Sequence, residues 1–141
     1  MAVPYSQSFG ITGRDFAHAG SASTEIKSIL KSLGINAAVI RRVAIAAYEA
    51  EMNAVMYAVK ATMTFSVTPE VVTMCVEDEG PGIADIALAM QEGWSTATHE
   101  MREMGFGAGM GLPNIKRNAD EFTIRSEVGK GTRLEILIHI N

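Results

Sequence analysis

Hydrophobic spacing predicts two helices in the first half of the chain. The first helix carries apolar residues on one face, namely Ile26, Ile29, Leu30 and Leu33. The small polar residues 20–24 can start this helix, and Gly34 ends it. The second helix is the longest in the chain: it begins after Asn36, a suitable capping residue, and runs to about Ala58 through an alanine-rich stretch without glycine or proline.

Alternation of apolar and polar positions predicts five strands. The first, an edge strand, extends from about Tyr5 to Ile11. The other four form two hairpins, with strands at residues 62–67, 71–76, about 121–128 and about 133–140, and with turns at residues 68–70 and 129–131. Adjacent strands joined by such short turns favour a largely antiparallel sheet.

The remaining segment lies between the two hairpins. A weak helix is predicted over residues 84–91, and a second one begins near Pro113 and ends near Ala119. Residues 84–110 form a long, mixed stretch, which is polar and glycine-rich after the weak helix and is typical of a lid. The order of elements predicts a single α/β domain over residues 1–141. Its architecture would be a two-layer sandwich, with a mixed, mostly antiparallel sheet covered on one face by about three helices.

Composition and charge narrow the function classes. The chain of 141 residues is 48% hydrophobic and 20% charged, which is typical of a folded globular domain. Its net charge of −4 disfavours direct binding to nucleic acid. No segment approaches the roughly 20 apolar residues that span a bilayer, so no membrane association is expected. With the single cysteine Cys75 and no visible leader segment, a reducing cytoplasmic setting is the expectation.

Glu49 and Asn53 form the first candidate constellation. They are four residues apart on the long helix and therefore lie on one face, whereas Glu51 points about 160° away from Glu49. An amide oxygen is a suitable Mg²⁺ ligand, and a carboxylate one turn away can accept a proton from a hydroxyl or from water. A solvated helix face is the alternative interpretation, since this spacing alone is common.

A second constellation follows the third predicted strand. Asp78, Gly80, Gly82 and Ile83 stand directly after it. Glycines allow the close approach of a flat ligand, and the carboxylate can accept a hydrogen bond from an exocyclic amine such as that of adenine. An ordinary turn with a surface aspartate is the alternative.

The third constellation is the glycine-rich run from Gly105 to Gly111, followed by Leu112 and Pro113. Alternating glycines expose backbone N–H groups, and the run ends at a helix start, which makes it a suitable anion cradle. A flexible hinge is the alternative. The run does not fit the Gly-x-Gly-x-x-Gly pattern of dinucleotide-binding folds, and residues 124–131 do not fit a Walker loop.

These three segments, together with residues 129–132, resemble in their order the GHKL ATPase superfamily with its Bergerat-type ATP site. Glu49 and Asn53 match its N box, residues 78–82 and 105–111 match its two glycine boxes, and residues 129–132 match its last motif. The resemblance covers about residues 35–138. Within the superfamily the chain looks most like the anti-sigma-factor and switch serine kinases, and residues 109–117, followed by residues 120–122, look especially like the switch-kinase branch.

The resemblance implies a role for each matching residue. Glu49 would be the general base on a protein serine, Asn53 would coordinate Mg²⁺, and Asp78 would bind the adenine amino group. The ATP site would comprise Asn53, Asp78, Gly80, Gly82, Ile83, Gly105, Gly107, Ala108, Gly109, Met110, Gly111, Leu112 and Thr132.

The function implied by the resemblance is a regulatory serine protein kinase that uses ATP and Mg²⁺ to phosphorylate a small antagonist protein. Two alternatives stay open: an ATP-dependent binding module that sequesters a partner such as a sigma factor, and an ATP hydrolase without protein-kinase activity. Glu49 favours chemistry over sequestration, because capture alone needs no base. Anti-sigma relatives often dimerise, so a homodimer through the N-terminal segment is a further expectation.

Overall fold

Five strands and four α-helices make up the part of the chain that the structure, a computed structural model, describes: residues 5–91 and 111–141. The strands are β1 (Tyr5–Thr12), β2 (Lys60–Val67), β3 (Val71–Glu79), β4 (Glu121–Glu127) and β5 (Gly131–His139). The helices are α1 (Ser21–Ser32), α2 (Ala37–Tyr57), α3 (Ile86–Ala89) and α4 (Gly111–Asn118), with one 3₁₀ turn at Phe16–His18.

The strands form one sheet in the order β1-β2-β3-β5-β4, and every pairing between the described strands is antiparallel. The core side chains alternate along the strands onto one face, where Phe65, Met74 and Ile136 are almost fully buried. Helix α2 packs on the sheet between α1 and α4. The predicted two-layer α/β sandwich with its mostly antiparallel sheet is therefore confirmed, and so are both hairpins.

Helix α2 begins and lies as its sequence predicts. The side chain of Asn36 accepts a hydrogen bond from the Val39 N–H at 2.9 Å, which caps the free amides of the first turn. Gly34, at φ +74°, ends α1 before it in the left-handed conformation that glycine adopts without strain. Although α2 is long, no helix among the described residues combines the length and apolarity needed to cross a membrane.

The start of α1 depends on a residue far away in the sequence. Gly20 precedes the helix and has no capping side chain. Instead the carboxylate of Glu51, on α2, accepts the backbone N–H groups of Gly20, Ala22 and Ser23 at 3.1, 3.2 and 2.9 Å. Glu51 is only 2% exposed, so these bonds lie in the core. As predicted, Glu51 points away from Glu49, but its structural role was not foreseen.

The turn after β1 packs on the far end of α2. The Gly13 N–H donates to the Val59 carbonyl at 2.9 Å, and the Arg14 N–H donates to the Val55 carbonyl at 2.7 Å. A Cβ atom on Gly13 would lie 1.8 Å from the Ala58 carbonyl oxygen, so only glycine fits there. The last turn of α2 is therefore held by backbone groups from the start of the chain.

Candidate nucleotide site

Glu49 lies half-buried where α2 meets the first residue of α4. A Cβ atom on Gly111 would stand 3.1 Å from Glu49 Oε2, so this carboxylate oxygen lies against the helix start. Burial raises the pKa of Glu49, and a hydrogen bond from the Asn114 side chain opposes that shift. A carboxylate with a raised pKa beside a helix N-terminus is well suited to accept a proton near a bound anion.

A network at the opposite end of α4 fixes how this helix lies on α2. Arg42 Nε donates to the Asn118 carbonyl at 3.0 Å, and Arg42 Nη2 lies 3.1 Å from Asp120 Oδ1. Asp120 Oδ2 also accepts the His139 N–H at 2.7 Å. That bond first, and then the contacts with Arg42, hold the pKa of Asp120 below its usual value. These contacts hold the C-terminal end of α4 against α2, and the N-terminal end of the same short helix then lies beside Glu49.

Asn53 follows Glu49 one turn later on α2 and is half-buried. The helix then continues to Tyr57, whose carbonyl oxygen would be 3.3 Å from a Cβ atom on Gly80. Residues 49 and 57 are therefore separated by about 12 Å of helix. One face of α2 thus connects the carboxylate at α4 with the loop after β3, and Asn53 lies between the two.

The donors present suit Mg²⁺ held together with phosphate oxygens. No group of three or more histidine, cysteine, aspartate or glutamate side chains that could hold a metal occurs within residues 5–91 and 111–141. Mg²⁺ commonly takes only one or two protein ligands and completes its octahedron with water and substrate phosphate. A single amide oxygen at Asn53, one helical turn from Glu49, is compatible with that pattern.

Asp78 stands at the end of β3 with one carboxylate oxygen engaged. Its Oδ1 accepts the Thr132 backbone N–H at 3.0 Å, and the hydrogen bonds within the described residues leave Oδ2 unused. Burial raises the pKa of Asp78, and the bond from Thr132 opposes this shift. A fixed carboxylate with one oxygen available can accept a hydrogen bond from an exocyclic amine such as that of adenine.

The glycines around Asp78 are needed by the packing of the chain itself. Gly82 adopts φ +75°, and a Cβ atom there would lie 2.4 Å from the Glu127 carbonyl oxygen. A Cβ atom on Gly131 would lie 2.0 Å from the Asp78 carbonyl oxygen. That Gly80 and Gly82 admit a ligand stays a prediction; in addition, Gly82 and Gly131 allow the loop after β3 to lie directly on the β4–β5 turn.

Ser126 on β4 joins the two segments and was missed by the sequence analysis. Its Oγ accepts the Ile83 N–H at 2.7 Å, lies 3.1 Å from the Gly131 carbonyl oxygen and lies 2.9 Å from Thr132 Oγ1. Thr132 is 6% exposed, so these polar groups satisfy one another inside the protein. A serine in a strand of alternating polarity offers no signal in the sequence that would distinguish it from a solvent-facing residue.

The predicted site residues that the structure describes fall into two sets, and Leu112 belongs to neither. One set gathers along α2 and the start of α4: Glu49, Asn53 and Gly111. A second set gathers at the end of β3 and the β4–β5 turn: Asp78, Gly80, Gly82, Ile83 and Thr132. Leu112 is 8% exposed, and its side chain belongs to the core. The remaining predicted residues, Gly105, Gly107, Ala108, Gly109 and Met110, lie outside the described residues, as does the predicted lid beyond residue 91.

Comparisons with known proteins identify the family of this chain and two similar proteins. A family described as the histidine kinase-like ATPase domain matches residues 14–138. The serine/threonine-protein kinase RsbT of Bacillus subtilis is 31% identical over 115 residues, which cover 79% of this chain and 80% of the relative. An anti-sigma F factor of Geobacillus is 30% identical over 117 residues, which cover 83% of this chain and 69% of the relative.

Proposed function

Because the chain belongs to the histidine kinase-like ATPase domain family, we propose that it is an ATP-dependent serine/threonine protein kinase that phosphorylates a small antagonist protein. The similarity to a serine/threonine-protein kinase over four fifths of both chains supports this activity. ATP binding follows from the family, while Mg²⁺ and the individual site residues are part of the proposal. A homodimer and a cytoplasmic location are also part of it.

The position of Glu49 carries the proposal. Its half-buried carboxylate lies against Gly111, the first residue of the helix that follows the glycine-rich run. Glu49 would accept the proton of a serine hydroxyl as that oxygen bonds to the γ-phosphorus, while the bond from this phosphorus to the β–γ bridging oxygen breaks and ADP leaves. Such transfers depend mainly on positioning and on charge stabilisation.

The other residues would hold the nucleotide in place. Asn53 would ligate Mg²⁺, which supplies positive charge to the phosphates. Asp78 Oδ2 would accept a hydrogen bond from the adenine amino group while Thr132 holds Oδ1. The two ends of this site are joined by one face of α2, over a length that a nucleoside triphosphate can bridge.

A second candidate function is supported by the similarity to anti-sigma F factors. A chain of this kind would capture a sigma factor in its ATP-bound state without a need for turnover. Kinase activity and capture are compatible in one domain, because both use the same bound nucleotide. They differ in the need for Glu49, since capture requires no general base.

Phosphoryl transfer with γ-labelled ATP tests the proposal directly. The purified chain is incubated with small antagonist proteins encoded in the same genome, and the label on serine is followed. We expect transfer by the wild type and its loss in Glu49→Gln, with Glu25→Gln on the exposed face of α1 as the matched control. Release of ADP without labelled protein indicates a hydrolase, and nucleotide-dependent capture of a sigma factor without either product indicates a binding module.

Nucleotide binding tests the two other side chains. Asn53→Ala should abolish the Mg²⁺ dependence of ATP affinity, so that chelation by EDTA has no further effect on this variant. Asp78→Asn should weaken the preference for ATP over GTP. Its control is Glu79→Gln, because the neighbouring Glu79 is exposed and pairs with Lys60 at 3.6 Å. Unchanged binding by Asn53→Ala, or equal affinity of the wild type for ATP and GTP, would remove these roles.

A further inference from the structure

The first residue of α4, Gly111, lies against Glu49, because a Cβ atom there would stand 3.1 Å from Glu49 Oε2. Asn114 follows Gly111 by three residues and therefore lies one turn behind the helix start on the same side, facing Glu49. In keeping with this placement, a side-chain hydrogen bond from Asn114 opposes the rise in the pKa of Glu49. The side chain of Asn114 is half-buried. The contact joins the proposed general base to the helix that follows the glycine-rich run.

The orientation of the Asn114 amide is set by a neighbour. Arg117 Nη1 donates to Asn114 Oδ1 at 3.1 Å. With its oxygen held by a guanidinium donor, the amide presents its NH₂ group to the carboxylate of Glu49. The Asn118 side chain adds a bond of 2.8 Å to the Asn114 backbone carbonyl, which holds the helix but does not reach the amide.

A carboxylate that accepts a proton must point one lone pair at the incoming hydroxyl. Glu49 has three rotatable side-chain bonds, and one of its oxygens already lies against Gly111. A directed hydrogen bond from a second residue on the same helix leaves the carboxylate few other orientations. Such hydrogen bonds from neighbouring residues are the usual means by which enzymes hold reactive groups in a productive geometry.

We propose that Asn114 is a positioning residue, which holds the carboxylate of Glu49 in its reactive orientation and joins it to α4. This proposal rests on the proposed function, because Glu49 must act as the general base. Asn114 acts through Glu49, so its substitution lowers the turnover number and leaves the affinity for nucleotide in place.

The isosteric substitution Asn114→Asp separates positioning from a structural role. It keeps the size of the side chain and strengthens the pairing with Arg117, so the melting temperature should be preserved. It removes the NH₂ donor and places a second negative charge beside Glu49. Since a hydrogen bond to a charged group is involved, we expect kcat for serine labelling to fall about ten- to hundredfold. The KM for the acceptor protein and the Kd of a fluorescent ATP analogue should stay at wild-type values.

Asn118→Asp is the matched control, since it removes an amide one turn away that bonds to backbone alone. We expect kcat close to wild type in this variant. The proposal is overturned if Asn114→Asp has the same kcat as the wild type, if Asn118→Asp loses as much, or if the loss of Asn114→Asp appears in nucleotide affinity instead.

A double-mutant cycle tests whether Asn114 acts through Glu49. In a Glu49→Asp background the shorter carboxylate no longer reaches Asn114, and Asn114→Ala should lower kcat no further. Additive losses would contradict the proposal.

The contact is also tested without an acceptor protein. The side-chain amide signal of Asn114 in a ¹⁵N-correlated spectrum should move in Glu49→Gln and stay in place in Glu25→Gln. A wild type that labels no protein refutes the proposed kinase, whereas an unmoved Asn114 signal refutes the inference about Asn114 alone.

Discussion

Substitution of Glu51 should destabilise the protein although the residue stands between two proposed site residues in the sequence. Its carboxylate faces away from Glu49 and accepts three backbone N–H groups at the start of α1. Glu51→Ala would leave these donors without a partner. Because Ala22 and Ser23 are buried, water can reach only the end near Gly20.

The magnitude follows from these three hydrogen bonds. A bond to a charged acceptor contributes about 1.5–3 kcal/mol, and a buried donor left unpaired costs about 1–3 kcal/mol. Local relaxation at Gly20 recovers part of the loss, so we expect a decrease of about 3–5 kcal/mol in the free energy of unfolding. For a domain of this size, that is about 10 to 15 °C in melting temperature. Glu51→Gln keeps one acceptor oxygen for Ser23 and should lose about 1–3 kcal/mol.

Thermal and urea denaturation measure this loss, with Glu25→Ala on the exposed face of α1 as the control. Well below its melting temperature, Glu51→Ala should bind a fluorescent ATP analogue as the wild type does, because the role of Glu51 is structural. A melting temperature equal to that of the control would refute the assigned capping role. A stable Glu51→Ala protein that no longer binds nucleotide would refute the separation of Glu51 from the site.

Three other predictions follow from the same structure. Glu49→Gln should raise the melting temperature at pH 7, because burial raises the pKa of Glu49 and the charged form costs stability. That gain should vanish below the ordinary pKa of 4.5, where Glu49 is protonated in both the folded and the unfolded protein. In a pH profile, the phosphoryl-transfer rate of the wild type should begin to fall at a pH above 4.5 as Glu49 becomes protonated. Gly82→Ala should cost at least about 3 kcal/mol in urea denaturation, against about 1 kcal/mol for Gly34→Ala. Both glycines have φ near +75°, but only at Gly82 would the methyl group meet a carbonyl oxygen, so equal losses would contradict the clash. Asp120→Asn should lower the melting temperature at pH 7. The difference in melting temperature between this variant and the wild type should shrink as the pH falls below 3.8, because the charged carboxylate of Asp120, whose pKa is lowered, stabilises the folded protein and the protonated group does not.

Local signals in the sequence predicted most of the fold. The cap at Asn36, the left-handed Gly34 and the two hairpin turns depend on residues close to one another in the chain, and all of them are confirmed. The interactions that the sequence did not reveal join distant segments. Glu51 meets residues 28 to 31 positions away, and Arg42 meets the carbonyl of Asn118, 76 positions away.

Less of the candidate site than of the fold was predictable from the sequence. The resemblance to a known superfamily indicated Glu49, Asp78 and Thr132, but not that the Thr132 N–H holds Asp78, and it did not indicate Asn114. Such contacts between α2, α4, β3 and β5 can be identified only when the elements are packed together. The roles of Gly105, Gly107, Ala108, Gly109 and Met110 stay predictions.

The close approach of the loop after β3 to the last hairpin has a consequence for the interpretation of related sequences. Gly82 and Gly131 are required because two stretches of main chain touch at these positions, whether or not a nucleotide is ever bound. A descendant that had lost its enzymatic activity would still need both. In surveys of genomes these glycines therefore identify the architecture, and under the proposed mechanism the acidic side chain of Glu49 on the central helix is the better indicator of a working catalyst.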